Sequence, residues 1–121
     1  SYIHSESYAA GELKHGTISL IDEDVPVIAV ATQTGIIPKT ISNVVEVKSR
    51  GAKVILVCTD ACARELKDGV ADYVIEIPHT DELLMPITAV VPLQILAYYT
   101  SINRGIDPDK PKNLAKSVTV E

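Results

Sequence analysis

VPVIAVATQTGIIPKTISNVVEVKSRGAKVILVC, residues 25–58, decides the fold. Residues 25–31 are a short apolar run without polar alternation, which is the composition of a parallel strand covered on both faces. The polar turn TQTG at 32–35 follows. From Pro38 onward Ile41, Val44, Val45 and Val47 recur mainly at three- and four-residue intervals with Ile37, so a helix carrying Pro in its first turn is expected, ending at Ser49-Arg50-Gly51. Residues 54–58, VILVC, are then a second buried strand. A strand, a crossover helix and a strand in this order specify a parallel pair.

The pattern repeats downstream. Residues 60–67 read as a short helix capped by Thr59 or Asp60 and ended near Gly69, and residues 73–77, YVIEI, read as a third strand. Residues 80–105 form the longest periodic segment, with Thr80-Asp81-Glu82 placing a cap and two carboxylates at its positive end. Nearly every residue from Leu83 to Tyr99 is apolar, but Pro86, Pro92, Thr88 and Gln94 interrupt the run. It is read as a soluble helix, kinked or restarted at its prolines, buried on most of its surface against the sheet and another subunit, rather than as a membrane span. Upstream, Ser5 or Ser7 caps an expected short helix that Gly16 ends, with Gly11 weakening it. The last stretch, 106–121, has two prolines, three lysines and no helical period, and reads as an extended tail.

At 121 residues the chain has room for one core. Apolar residues at 46% and charged ones at 22% put it among folded domains rather than disordered chains. Five Tyr with no Phe or Trp leave few stacking platforms, and a net charge of -5 opposes a phosphate backbone, so nucleic-acid binding is disfavoured. Cys58 and Cys62 have neither redox nor zinc spacing and read as reduced thiols. No basic leader with an apolar core opens the sequence, so a cytoplasmic protein is expected. Only three strands are visible where a doubly wound sheet commonly has more, which suggests an amino-terminally truncated domain.

The residues that could carry chemistry are His4, His15, His79, Glu6, Glu12, Lys14, Lys116 and the two cysteines. His79 follows the third strand at the carboxyl edge where parallel sheets place ligands, but it also stands one residue before a helix cap, and the structural role is the favoured reading. His15 lies in a polar bend, and imidazole is the side chain suited to proton transfer near neutrality. Lys116 has small and apolar neighbours inside a charged tail. An ordinary lysine amine with a pKa of ~10.4 is neutral in fewer than about one in a thousand molecules at pH 7, whereas desolvation that lowers it by ~3 raises that share to roughly a third. Such an amine attacks carbonyls. No Gly-rich phosphate loop, serine-nucleophile elbow or clustered metal ligands appear; TQTG is a weak phosphate-binding pattern.

SYIHSESYAAGELKHG at the start, PKNLAKSVTVE at the end, and PVIAVA, IPHTDELLMPI and VPLQILAYY between them resemble the second sugar-isomerase (SIS) domain of the isomerising glutamine:fructose-6-phosphate aminotransferases, the glucosamine-6-phosphate synthases. The resemblance runs over the whole chain; Thr17 departs from it, standing where the family usually has Pro. It implies an α/β, three-layer α-β-α sandwich with a parallel sheet of SIS (flavodoxin-like) type, truncated at its amino end, with residues 1–105 a partial SIS domain and 106–121 an active-site tail. It also implies that Lys116 forms a Schiff base with the C2 ketone of open-chain fructose 6-phosphate. By the same comparison His15 assists ring opening and acts in the neighbouring subunit's site, while the backbone at Ala115 closes over the sugar.

A homodimer is therefore expected, with fructose 6-phosphate and glucosamine 6-phosphate as substrate and product, and with no metal or organic cofactor and no membrane. The family's proton-shuttling glutamate, the phosphate site of a first SIS domain and the glutaminase domain are expected upstream of Ser1, so that the chain alone would lack synthase activity. The alternatives are an SIS-type fructosamine-phosphate deglycase and a non-catalytic sugar-phosphate-binding module.

Overall fold

The computed structural model describes residues 1–110 and 112. Three strands, β1 (Pro26–Ala31), β2 (Lys53–Thr59) and β3 (Tyr73–Ile77), form a parallel sheet in the order β1-β2-β3. Pro26 lies opposite Lys53, and Ile55 opposite Tyr73, so the registers keep alternate side chains on common faces. The crossovers are α1 (Ile37–Ser49) and α2 (Asp60–Glu65), and α3 (Met85–Asn103) follows β3.

The period-two rule sorts the core into two layers. Val54, Leu56 and Cys58 of β2 join Ala31, Val44, Val47 and Cys62 on the side of α1 and α2. Val57, Ile77, Met85 and Ala89 form the other cluster, under α3. The expected α-β-α sandwich with a parallel sheet is therefore present, and α1 has Pro38 in its first turn as its sequence requires. Thr59 caps α2 by accepting a hydrogen bond from the Cys62 amide, although the helix ends at Glu65, sooner than its composition suggested.

Three expectations are corrected. Residues 5–16 do not form an α-helix: the chain makes two 3-10 turns, Leu13–His15 and Thr17–Leu20, on either side of Gly16, whose φ of 149° a side chain would strain. Only Leu13 and Ile18 of these turns reach the core, too few apolar positions to hold a longer helix. Second, α3 starts at Met85, not near Thr80, because Asp81 spends its carboxylate on the Leu83 amide (2.9 Å) in a preceding turn, and Pro86 sits in the first helical turn.

Third, burial is one-sided where sequence implied two. Ile28 and Val30 of β1 share the face of Val57 but are 45% and 40% exposed, since on that face α3 covers β2 and β3 and no described element covers β1. Of α3 only Met85, Ala89 and Ser101 are buried, with Ile87, Val91, Ile95 and Tyr99 exposed. By length and composition α3 could cross a membrane, so its apolar surface calls for a cover of some kind.

At the amino edge of the sheet, Asp72 joins three elements. Its carboxylate accepts hydrogen bonds from Lys48 of α1 (2.6 Å) and the Val54 amide of β2 (2.7 Å), with Lys53 at 3.6 Å. The Lys48 ammonium, then the Val54 N–H, hold the Asp72 carboxyl down to about 2.

Candidate functional site

His15 is the sequence-predicted site residue whose surroundings the structure describes most fully. It ends the first 3-10 turn, donates its backbone N–H to the Glu12 carbonyl (3.0 Å), and is exposed to solvent. Gly16 next turns the chain, and its carbonyl accepts both the Ser19 amide (3.0 Å) and the Ser19 hydroxyl (2.7 Å). Leu13 on one side and buried Ile18 on the other fasten this bend to the α1 face of the core. The adjoining Lys14 reaches across to Glu46 of α1, Nζ to Oε2 2.8 Å.

That ion pair also locates the imidazole. Because α1 returns antiparallel to the strands, Glu46, near its carboxyl end, lies toward the amino edge of the sheet. His15 therefore stands apart from the carboxyl edge, where parallel sheets hold ligands and where His79 and the turn 32–35 are found. The structure does not gather the candidates into one pocket. His79 is exposed after Pro78, and α1 begins behind the 3-10 turn Thr34–Ile36 without a side-chain cap, which leaves its first amides open.

The other candidates fall into two groups. His4, Glu6 and Tyr8 lie together on the amino-terminal segment: the Glu6 carboxylate meets the His4 ring (3.2 Å) and accepts the Tyr8 hydroxyl. The Tyr8 hydrogen bond, then His4, lowers the Glu6 carboxyl, while Glu6 raises the Tyr8 phenol. Cys58 and Cys62 are both buried and unpaired by any disulfide. Burial, reinforced by Cys62, pushes the Cys58 thiol up to about 12, and burial raises Cys62 too, so both are protonated core thiols.

Lys116 and Ala115 lie outside the described residues. Within the tail, Lys112 is contacted by the Tyr2 hydroxyl, whose O–H donates to the Lys112 carbonyl at 3.3 Å, which brings the start of the chain against that residue. Among the described residues no three His, Cys, Asp or Glu side chains cluster as metal ligands. Sequence reasoning weighed Lys14 by itself and missed Glu46, because their partnership spans 32 positions and leaves no local periodic signal.

Comparison with known proteins places these residues in a family. A family model for the SIS domain matches residues 1–104. The chain is 55% identical over its whole length to the isomerising glutamine--fructose-6-phosphate aminotransferase of Clostridium perfringens, of which it covers 20%. It is 50% identical to that of Thermococcus kodakarensis, again over its whole length and covering 19% of that protein. Among solved structures it resembles the C-terminal domain of glucosamine-fructose-6-phosphate aminotransferase from Francisella tularensis, with a TM-score of 0.84 and 37% identity over 91% of this chain and 30% of that one. The chain thus spans about a fifth of the length of the curated relatives it matches.

Proposed function

Since the chain belongs to the SIS-domain family, we propose that it forms part of the isomerase domain of a glutamine--fructose-6-phosphate aminotransferase, acting on fructose 6-phosphate to give glucosamine 6-phosphate. The observation that carries the proposal is 50–55% identity over the whole chain to enzymes of that name, together with an exposed His15 on a turn fixed to the core.

Two of the chain's side chains do chemistry in this reading. The substrate sugar is a ring, and its carbonyl is hidden until the bond between C2 and the ring oxygen breaks. The C2 hydroxyl then loses a proton to become the ketone and the ring oxygen gains one; an imidazole exchanges both near neutral pH. His15 has that role. The Lys116 amine attacks the exposed ketone, and loss of water gives the imine that activates C2 for transfer of nitrogen derived from glutamine. The backbone at Ala115 and the rest of 106–121 cover the sugar. Both steps are proton and imine chemistry supplied by side chains.

The position of His15 away from the carboxyl edge favours a site completed by a second copy of the domain. The exposed apolar faces of α3 and β1 favour a homodimer and further segments of the same polypeptide as their cover, in a soluble, cytoplasmic enzyme. Supplying the full-length enzyme with glutamine and fructose 6-phosphate tests the function. Glutamine hydrolysis coupled to glucosamine 6-phosphate formation is expected, with Lys116→Arg abolishing it; full activity in Lys116→Arg would overturn the assignment.

A further inference from the structure

We infer that Glu46 is a positioning residue for His15, acting through Lys14; the inference rests on the ring-opening role proposed for His15. Lys14 is the residue directly before the imidazole, and its ammonium meets Glu46 Oε2 at 2.8 Å. Glu46 is itself well placed to be a fixed post. It stands in the 13-residue helix α1, between the buried residues Val44 and Val47, and its second oxygen faces Arg50 at 4.0 Å, one turn on. The bend around His15 has no regular hydrogen-bonded structure beyond two short 3-10 turns.

Leu13 and Ile18 press this bend onto the core, but apolar contacts are non-directional and leave the segment free to rotate. The Lys14–Glu46 pair supplies the missing direction. Both side chains are partly exposed, so the pair adds little to folding, and removing it is expected to loosen the imidazole without unfolding the domain. A misplacement of about 1 Å at a reacting group costs as much as ~100-fold in rate, which makes orientation the quantity at stake.

The test separates orientation of the ring-opening group from damage to the fold by using two sugars in the full-length enzyme. Fructose 6-phosphate must be opened, whereas 5-deoxyfructose 6-phosphate lacks the hydroxyl that closes the furanose and is already a free ketone. Glu46→Gln should lower kcat/KM for fructose 6-phosphate by about tenfold while changing that for the 5-deoxy sugar by less than about twofold. Exchanging the charges, with Lys14→Glu and Glu46→Lys together, should recover most of the loss. Equal losses on both sugars, or no loss on either, would overturn the inference. His15→Ala with an undiminished rate on fructose 6-phosphate would instead overturn the ring-opening role itself, so the two failures are distinguishable.

Discussion

Four glycines among the described residues carry positive φ, and at two of them, Gly51 and Gly16, replacement by alanine should damage different properties. Gly51, between α1 and β2, has φ 95°, and a Cβ there would stand 3.0 Å from the Glu23 Cα. The backbone conformation costs an L-residue about 1–3 kcal/mol and the close approach to rigid main chain about 1–3 more, offset by about 0.4–1 from the stiffer unfolded chain. Gly51→Ala should thus destabilise the domain by about 2–4 kcal/mol, which multiplies the opening equilibrium by about 30- to 1,000-fold. Gly16, at φ 149°, would direct its Cβ into open space, so Gly16→Ala bears the conformational cost alone, about 1–2 kcal/mol after the same offset.

The assay is native-state hydrogen exchange of the β2 amides in the full-length enzyme, read beside sugar turnover. Gly51→Ala should accelerate exchange by about 5- to 30-fold more than Gly16→Ala does, yet keep turnover within about threefold. Gly16→Ala, which re-aims the residue beside it, should lose up to about 100-fold in turnover. The reasoning is refuted if both variants shift exchange and turnover in the same proportion.

Two further outcomes follow from the charged and thiol groups. Asp72 has its carboxyl depressed from 3.8 to about 2, so its stabilising contribution is full above the higher value and vanishes as pH falls toward the lower one. Asp72→Asn should therefore flatten the pH dependence of the urea midpoint between those two values, and an unchanged slope would contradict the clamp it forms with Lys48 and Val54. With its thiol at about 12 against an ordinary 9.0, Cys58 has about a thousandfold less thiolate at pH 8. Iodoacetamide should label it in the folded protein only at the rate of unfolding, and labelling as fast as in urea would contradict its burial.

The sheet and α1 were legible in the sequence because their signals are local. Four apolar residues in VILVC bounded by Gly51 and Thr59 allow little else than a buried strand, and the 3.6-residue period from Ile37 to Val47 has one continuous face to bury. The amino-terminal segment misled for the complementary reason: Ser5, Ser7 and Gly16 are helix punctuation around a stretch with almost no apolar face, and caps without a face do not make a helix. In α3 the acidic cap signal belongs to the turn before it, and Pro86 shows where the first helical turn must lie.

What covers β1 and α3 was not legible, since an apolar run reports that a surface needs burial but not which element supplies it. The Asp72 clamp and the Lys14–Glu46 pair were invisible for a topological reason. Each joins residues more than 18 positions apart in at least one contact, brought together only when the crossover helix packs. The roles proposed for His15 and Lys116 rest on the family resemblance, because a single histidine in a bend and a single lysine in a tail carry no chemical signature of their own.

Borohydride reduction of the full-length enzyme in the presence of fructose 6-phosphate tests the central claim most directly. Hydride converts the imine between an amine and the C2 ketone into a stable secondary amine, and peptide mass spectrometry locates it. The account predicts one hexitol phosphate adduct at Lys116, absent without the sugar and greatly reduced in His15→Ala; an adduct confined to another lysine, or none under turnover conditions, would contradict it.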